Sequence, residues 1–262
     1  MTALAVGPTA ARPQRAVLRL HRPALIVWGV FLLLAVVDLV WVHLFRMPLY
    51  RVQLGCSPSP DCYDLDYNAF TDVYNVMNLT GEVLSYVSVA VAAWAGAALI
   101  GRELESGTAR LAWTQGISPA RWLIAELTAA ALPLVAGTTL LGLVFAWVRS
   151  SDQDVLFADW SYARFLIPSG PLSVALVLAA LAVGALTGVA LGRTLPALVA
   201  AAGVTYALRH LFGDKWDDIW PVRRYWPVQI SGTVLLLVIA ALAVTAAFAL
   251  LARRTDVKGA AV

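Results

Sequence analysis

The amino-acid sequence predicts an all-α membrane protein with six transmembrane helices, which form a single transmembrane domain over residues 1–262. Hydrophobic residues make up 60% of the 262 residues, and charged residues only 13%. Soluble domains are about 45–50% apolar and about 25% charged, and disordered chains are polar and highly charged. Both classes are therefore excluded. The second observation is six apolar stretches that are long enough, or nearly long enough, to cross a bilayer.

The six spans follow from the length that a membrane helix needs. About 20 mostly apolar residues cross about 30 Å of hydrocarbon. The predicted spans are residues 24–45, 83–100, 123–148, 172–191, 195–212 and 233–252. The fourth and fifth spans form a tight helical hairpin, because little more than Gly192-Arg193-Thr194 separates them and Pro196 is tolerated in a first helical turn.

Both termini are predicted to be cytoplasmic. An even number of spans places them on one side, and both are basic. The segment 1–23 is basic, and its arginines either form a short interfacial helix or simply flank a first span that is retained, since no clean cleavage site follows. This orientation puts 11 of the 19 basic residues inside and 8 outside. The inside residues are Arg12, Arg15, Arg19, Arg22, Arg102, Arg110, Arg121, Arg193, Arg253, Arg254 and Lys258. The net charge of +3 fits anionic lipid and requires no nucleic acid.

The predicted outer loop, residues 46–82, contains both cysteines. Cys56 and Cys62 lie among prolines, and their spacing suits a small disulfide ring in an oxidising exterior. Two free thiols are the alternative, and titration without reductant distinguishes the two states.

Three acidic residues fall in or beside the spans. Asp38 lies inside the first span, where a carboxylate costs a few kcal/mol, so it is either a polar point on a transport path or a structural hydrogen-bond partner of a neighbouring Ser or Thr. Glu82 and Glu126 lie at predicted helix ends, where they are either interfacial carboxylates or part of such a path.

Small residues recur in the fourth span at Gly184, Gly188 and Gly192. Glycines four residues apart let helix backbones approach closely. Packing inside one subunit and packing between two subunits both fit this spacing.

No motif in the sequence predicts catalysis. The dipeptide Gly-Lys does not occur, which excludes a P-loop. His21, His43 and His210 are scattered, so there is no HExxH site, and no GxSxG elbow occurs.

The cytoplasmic segment 101–122 is the most informative. Gly107 can end the helix that leaves the membrane, and Thr108 can cap a new helix that Gly116 stops. Ser118 can then cap the third span, with Pro119 at its first position. The predicted short helix presents Arg110, Trp113 and Thr114 to the cytoplasm, which suits docking of a partner protein.

This segment, placed after the second of six spans, resembles the permease subunits of bacterial ABC exporters of the type V, "ABC type-2" class, and in particular their actinobacterial branch. The matching residues are Arg102-Glu103-x-Glu105-x-Gly107-Thr108, then Leu111, Trp113-Thr114-Gln115, Ser118 and Arg121-Trp122-Leu123. Further matches are residues 191–197 between the fourth and fifth spans and residues 225–229 before the sixth.

The resemblance implies a half-transporter in the bacterial plasma membrane. Two permease copies would pair with two separate ATPase subunits, which would hold ATP and Mg while this chain holds no cofactor. The helix around residues 109–115 would be the coupling helix, and Glu103 and Glu105 would lie near the ATPase contact. Residues 213–230 would correspond to a re-entrant outer segment.

Two other functions remain open from the sequence. A non-transporting membrane anchor or immunity protein would use the same short cytoplasmic helix to recruit its partner. A membrane-embedded enzyme acting on lipid would need a polar cluster, for which Asp38, His43 and Glu82 are the available residues.

Overall fold

The chain folds into a helical bundle. A computed structural model describes residues 22–55, 69–151, 160–219 and 224–259, and no strand occurs in these ranges. The α-helices are α1 Arg22–Trp41, α2 Met47–Gly55, α3 Ala69–Val91, α4 Arg102–Ser106, α5 Thr108–Thr114, α6 Pro119–Ser151, α7 Ala163–Leu166, α8 Pro171–Leu191, α9 Thr194–His210 and α10 Tyr225–Gly259. The all-α class that the sequence predicts is confirmed for these ranges.

Among the described residues, five helices are long and apolar enough to cross a membrane. They are Leu25–Leu49, Pro119–Ser151, Pro171–Leu191, Thr194–Lys215 and Tyr225–Thr255. Each contains most of one predicted span. The remaining predicted span, 83–100, lies on α3 and its continuation and is not among the five, so the count of six stays a prediction.

In the described part of the chain, three π-helical segments extend the α-helices without a break. Val42–Arg46 joins α1 to α2, Ala92–Gly101 joins α3 to α4, and Leu211–Lys215 continues α9. Consequently, α2 and the first part of α3 occupy residues that the sequence predicts as an outer loop. Met47 and Val73 are buried there against Leu39 and Phe145, and this packing favours helix over loop.

Helix α8 is the centre of the bundle. It packs against α10, the segment Ala92–Gly101, α9 and α6. Of its most apolar stretch of 18 residues, 67% is buried. Gly184 and Gly188 are buried in this packing within one chain. Gly192 has a different role, because it ends α8 with a positive φ of 61° and starts the tight turn to α9.

We call the two ends of the bundle the α5 end and the opposite end. At the α5 end a core of Ile100, Ala109, Trp122, Val189 and Leu251 joins α5 to the long helices. The opposite end holds α7, whose Phe165 packs on Phe145 of α6 with the ring centres 6.3 Å apart. Each end is therefore fixed by its own apolar cluster.

Candidate functional site

The short helix at the α5 end is bounded by two left-handed glycines. Gly107 has φ 78° and Gly116 has φ 90°, as the local sequence predicts. Ser118 Oγ accepts a hydrogen bond from the Arg121 backbone N–H at 3.3 Å, and α6 begins at Pro119. Thr108 differs from its predicted role, because it is the first helical residue and its hydroxyl donates to the Glu103 carbonyl at 3.3 Å.

Helix α5 has one buried face and one exposed face. Ala109 is buried, and Trp113 is half-buried with its ring edge-on to Trp122, 5.9 Å between centres. Trp113 therefore points into the bundle, which differs from the expectation that it faces the cytoplasm. The exposed face carries Arg110, Thr114 and Leu111, whose side chain is 61% exposed.

Leu111 is a candidate contact that the sequence reasoning did not assign to the exposed face. A signal was present, since Leu111 follows Arg110 and lies three residues before Thr114, so these three residues flank one side of a two-turn helix. Arginine is a usual anchor of a protein contact, and the exposed leucine beside it adds apolar area that a partner can bury.

Glu103 and Glu105 connect α4 to two different elements. Trp122 of α6 donates from Nε1 to Glu103 Oε2 at 2.8 Å. Thr194, the first residue of α9, donates to Glu105 Oε2 from its backbone N–H at 2.9 Å and from its hydroxyl at 2.6 Å. Both carboxylates thus hold the bundle together at the place where the sequence predicts a partner contact.

The two hydrogen bonds from Thr194 lower the pKa of Glu105 below its ordinary value of 4.5, and the positive charge of Arg193 lowers it by a smaller amount. The carboxylate also lies at the N-terminus of α9, where the helix dipole favours a negative charge. Since the folded chain holds the charged form more strongly, the link is fully present above about pH 4.5 and is lost as the pH falls through the lowered pKa.

The first prediction concerns this link. We expect Glu105→Ala to speed deuterium exchange at the Thr194 backbone amide at pH 7, because its acceptor is gone. Hydrogen-exchange mass spectrometry of the peptide that spans the α8–α9 turn measures the change. The start of α6, which Ser118 caps, is the control and should keep its exchange rate. Unchanged exchange at Thr194 would contradict the assigned hydrogen bond.

The α8–α9 turn lies against the start of α4. A Cβ at Gly101 would be 3.3 Å from the Thr194 Cα, so the two backbones are nearly in contact. Arg254 of α10 donates to the Ala190 carbonyl at the end of α8. The ends of α4, α8, α9 and α10 therefore form one assembly beneath α5.

A long groove runs from this assembly along α1 and α3. Its volume is ≈ 1320 Å³, and it is mostly apolar. The polar residues at the α5 end are Arg102, Glu103, Ser106, Thr108 and Thr194. Its far end reaches Glu82. The groove thus joins the predicted partner-coupling residues to one of the predicted polar residues of the spans.

Beside the far end of the groove, α3 and α9 share a charged network. Arg209 is 5% exposed and contacts Glu82 at 3.2 Å, Asp214 at 2.9 Å and Ser85 at 3.2 Å. The Tyr86 ring lies 4.3 Å below the guanidinium. Arg209 is not among the site residues predicted from the sequence, although an arginine inside an apolar span is by itself a signal of a polar site.

The other predicted polar residues lie apart from one another. Asp38 accepts a hydrogen bond from the Thr80 hydroxyl at 2.7 Å. This is the kind of contact, with a neighbouring Ser or Thr, that a structural role for Asp38 predicts. Glu126 is 3% exposed within α6, so its side chain is covered by protein. His43 packs on the Trp147 ring, with 4.5 Å between centres.

The remaining predicted site residues lie at the α5 end or outside the described part of the chain. Arg121 and Arg102 are exposed at the α5 end. Cys56, Cys62 and the basic residues before Arg22 lie outside the described residues. Within the parts of the chain that are described, no group of three or more His, Cys, Asp or Glu side chains could hold a metal ion.

A comparison with models of protein families gives a match that covers most of the chain. The model of a family described as "ABC-2 membrane transporter related" matches residues 29–214, which is well over half of the chain. No curated protein matches the chain, and no solved structure matches it either.

Proposed function

Because the chain belongs to the ABC-2 membrane transporter related family, we propose that it is the membrane-spanning permease subunit of an ATP-driven exporter. In this proposal it is a multi-pass protein of the bacterial plasma membrane, with both termini in the cytoplasm. A separate ATPase subunit binds ATP and Mg, and this chain carries no catalytic residues. Two permease copies and two ATPase subunits form the complete transporter.

The observation that carries the proposal is the α5 surface, which we define as Arg110, Leu111 and Thr114. These residues are exposed on a helix that is held rigidly by two left-handed glycines and by the contact of Trp113 with Trp122. A surface of this kind suits a groove on the ATPase, where Leu111 fills an apolar pocket and Arg110 meets acidic residues.

The contacts beneath α5 provide a route from the ATPase to the spans. A displacement of α5 acts on α6 through Trp113 and Trp122, and on α4 through Gly107. Helix α4 in turn bonds α6 through Glu103 and α9 through Glu105. Closure of the ATPase subunits would therefore shift α6 and α9 together, and transport requires that these helices have two stable arrangements.

The second prediction tests the α5 surface by mutation. We expect Arg110→Glu to reduce the amount of ATPase subunit that co-purifies with the permease at least tenfold. The substitution removes the arginine that contacts acidic residues of the ATPase and puts a repelling charge in its place. Arg253→Glu is the matched control, since Arg253 is exposed at the same end but lies on α10. Quantitative blotting of the purified complex measures both variants. Equal loss in both would contradict the assignment of the contact to α5.

A crosslinking experiment identifies the partner directly. A photoreactive amino acid at position 111 should capture a subunit that contains a P-loop and hydrolyses ATP, and the same probe at position 150 should not. Ser150 is an exposed residue at the opposite end of α6. Capture of a protein without nucleotide-binding motifs, together with no flux in reconstituted vesicles, would instead support the anchor or immunity function.

A further inference from the structure

The groove between α1 and α3 has an aromatic wall. Trp28, Phe31, Tyr86 and Trp94 line it. The Trp28 and Phe31 rings are stacked with 5.5 Å between centres, and Trp28 Nε1 donates to the Pro133 carbonyl at 3.0 Å. These contacts fix the two rings of α1 in place, so the wall is a preformed surface for an apolar or aromatic body.

The charge of the groove is negative. Among its lining residues Glu82 and Glu103 are acidic, and Arg102 is the basic one, so the lining carries a net charge of −1. Arg102 and Glu103 lie together at the α5 end, whereas Glu82 is separated from them by apolar and aromatic residues. The inner part of the groove therefore offers one carboxylate and no cation of its own.

Glu82 remains available to a ligand although it contacts Arg209. Its side chain is 42% exposed, and Arg209 divides its charge between Glu82 at 3.2 Å and Asp214 at 2.9 Å. One guanidinium thus faces two carboxylates, and His210 Nδ1 also lies 2.8 Å from Asp214 Oδ2. With His210 neutral, this network has a net charge of −1. A ligand with one positive charge, bound in the groove, would neutralise this net charge.

We propose that the groove binds a hydrophobic organic cation, with its apolar body against the aromatic wall and its positive centre near Glu82. This inference rests on the proposed function and names the class of its substrate. The low dielectric of the span strengthens the attraction of such a cation to the carboxylate, and its apolar body gains from contact with the aromatic side chains. An anion of the same shape is repelled by Glu82.

Binding of tetraphenylphosphonium to the purified full-length chain tests the proposal. Equilibrium dialysis in detergent, with protein-free micelles subtracted, gives the saturable affinity. We expect Glu82→Gln to weaken this affinity about tenfold, because the carboxylate loses its charge while Arg209 keeps Asp214. Tetraphenylborate has the same shape and the opposite charge, and it should bind to Glu82→Gln no more weakly than to the wild type.

Two matched variants separate direct contact from general effects. Asp214→Asn removes a charge from the same network at a residue that does not line the groove, and it should change the affinity less than threefold. Phe31→Ala should weaken binding several-fold, whereas Phe45→Ala, at an exposed phenylalanine outside the groove, should not. Equal affinities of wild type and Glu82→Gln, or equal weakening by Asp214→Asn, would overturn the proposal.

The binding assay needs no ATPase, so it fails independently of the proposed function. If tetraphenylphosphonium does not bind but Arg110→Glu still releases the ATPase subunit, the substrate class is wrong and the permease function stands. If the cation binds as expected but no ATPase associates with the α5 surface, the groove is a binding site in a protein that is not an ATP-driven permease.

Discussion

Arg209→Met is expected to lower the free energy of unfolding by about 3 kcal/mol. Arg209 is 5% exposed and forms ion pairs with Glu82 on α3 and with Asp214 just after α9. Removal of one partner from a buried ion pair leaves the other charge uncompensated and costs about 3–5 kcal/mol. The lower end applies here, because the Glu82 and Asp214 side chains are 42% and 33% exposed and are partly solvated.

Unfolding of the purified protein by SDS, followed by circular dichroism, measures this loss. Arg110→Met is the control, since Arg110 is exposed on α5 and its replacement should change the stability by less than about 0.5 kcal/mol. A triple variant that also carries Glu82→Gln and Asp214→Asn should recover much of the loss, because no uncompensated charge remains. Equal stability of the two single variants would show that the network contributes nothing.

Gly81→Ala is expected to destabilise the protein by about 2–3 kcal/mol, although alanine is the better helix former. A Cβ at Gly81 would lie 2.2 Å from the backbone carbonyl oxygen of Arg164 in α7. A backbone atom cannot rotate away as a side chain does, so α3 and α7 would have to separate. Their contact forms part of the cluster that includes Phe165 and Met77.

A second glycine provides a matched control with the opposite sign. Gly203 lies within α9, and a Cβ there would meet no atom within 4 Å. Gly203→Ala should therefore stabilise the protein by about 0.5–1 kcal/mol through helix propensity alone. The same SDS titration compares both variants. Stabilisation by both substitutions would contradict the close approach of α3 and α7.

The local features of the α5 end could be predicted from the sequence, because they depend on neighbouring residues. Gly107 and Gly116 adopt the left-handed conformation that favours glycine, and Ser118 caps the helix that Pro119 begins. Most spans could also be predicted, since their apolar length is a property of composition.

Features that depend on tertiary packing could not be derived in the same way. Glu82 and Arg209 are 127 residues apart in the chain, and no local pattern pairs them. Trp113 lies on a helix of two turns, which is too short for a hydrophobic period to show which face is buried. The continuation of α1 into α2 was predicted as a loop, because Met47 is buried only when α3 and α6 cover it.

The burial of α8 has a consequence for biosynthesis. Most of its sides are covered by protein, yet its most extensive partner, α10, follows it in the chain by more than thirty residues. A ribosome-bound intermediate that ends before Tyr225 would leave this face of α8 against lipid, which its uniformly apolar surface tolerates. The nascent chain can therefore form a stable membrane-inserted intermediate before α10 is made. Lateral association of α8 with α10 is then the step that completes the native assembly.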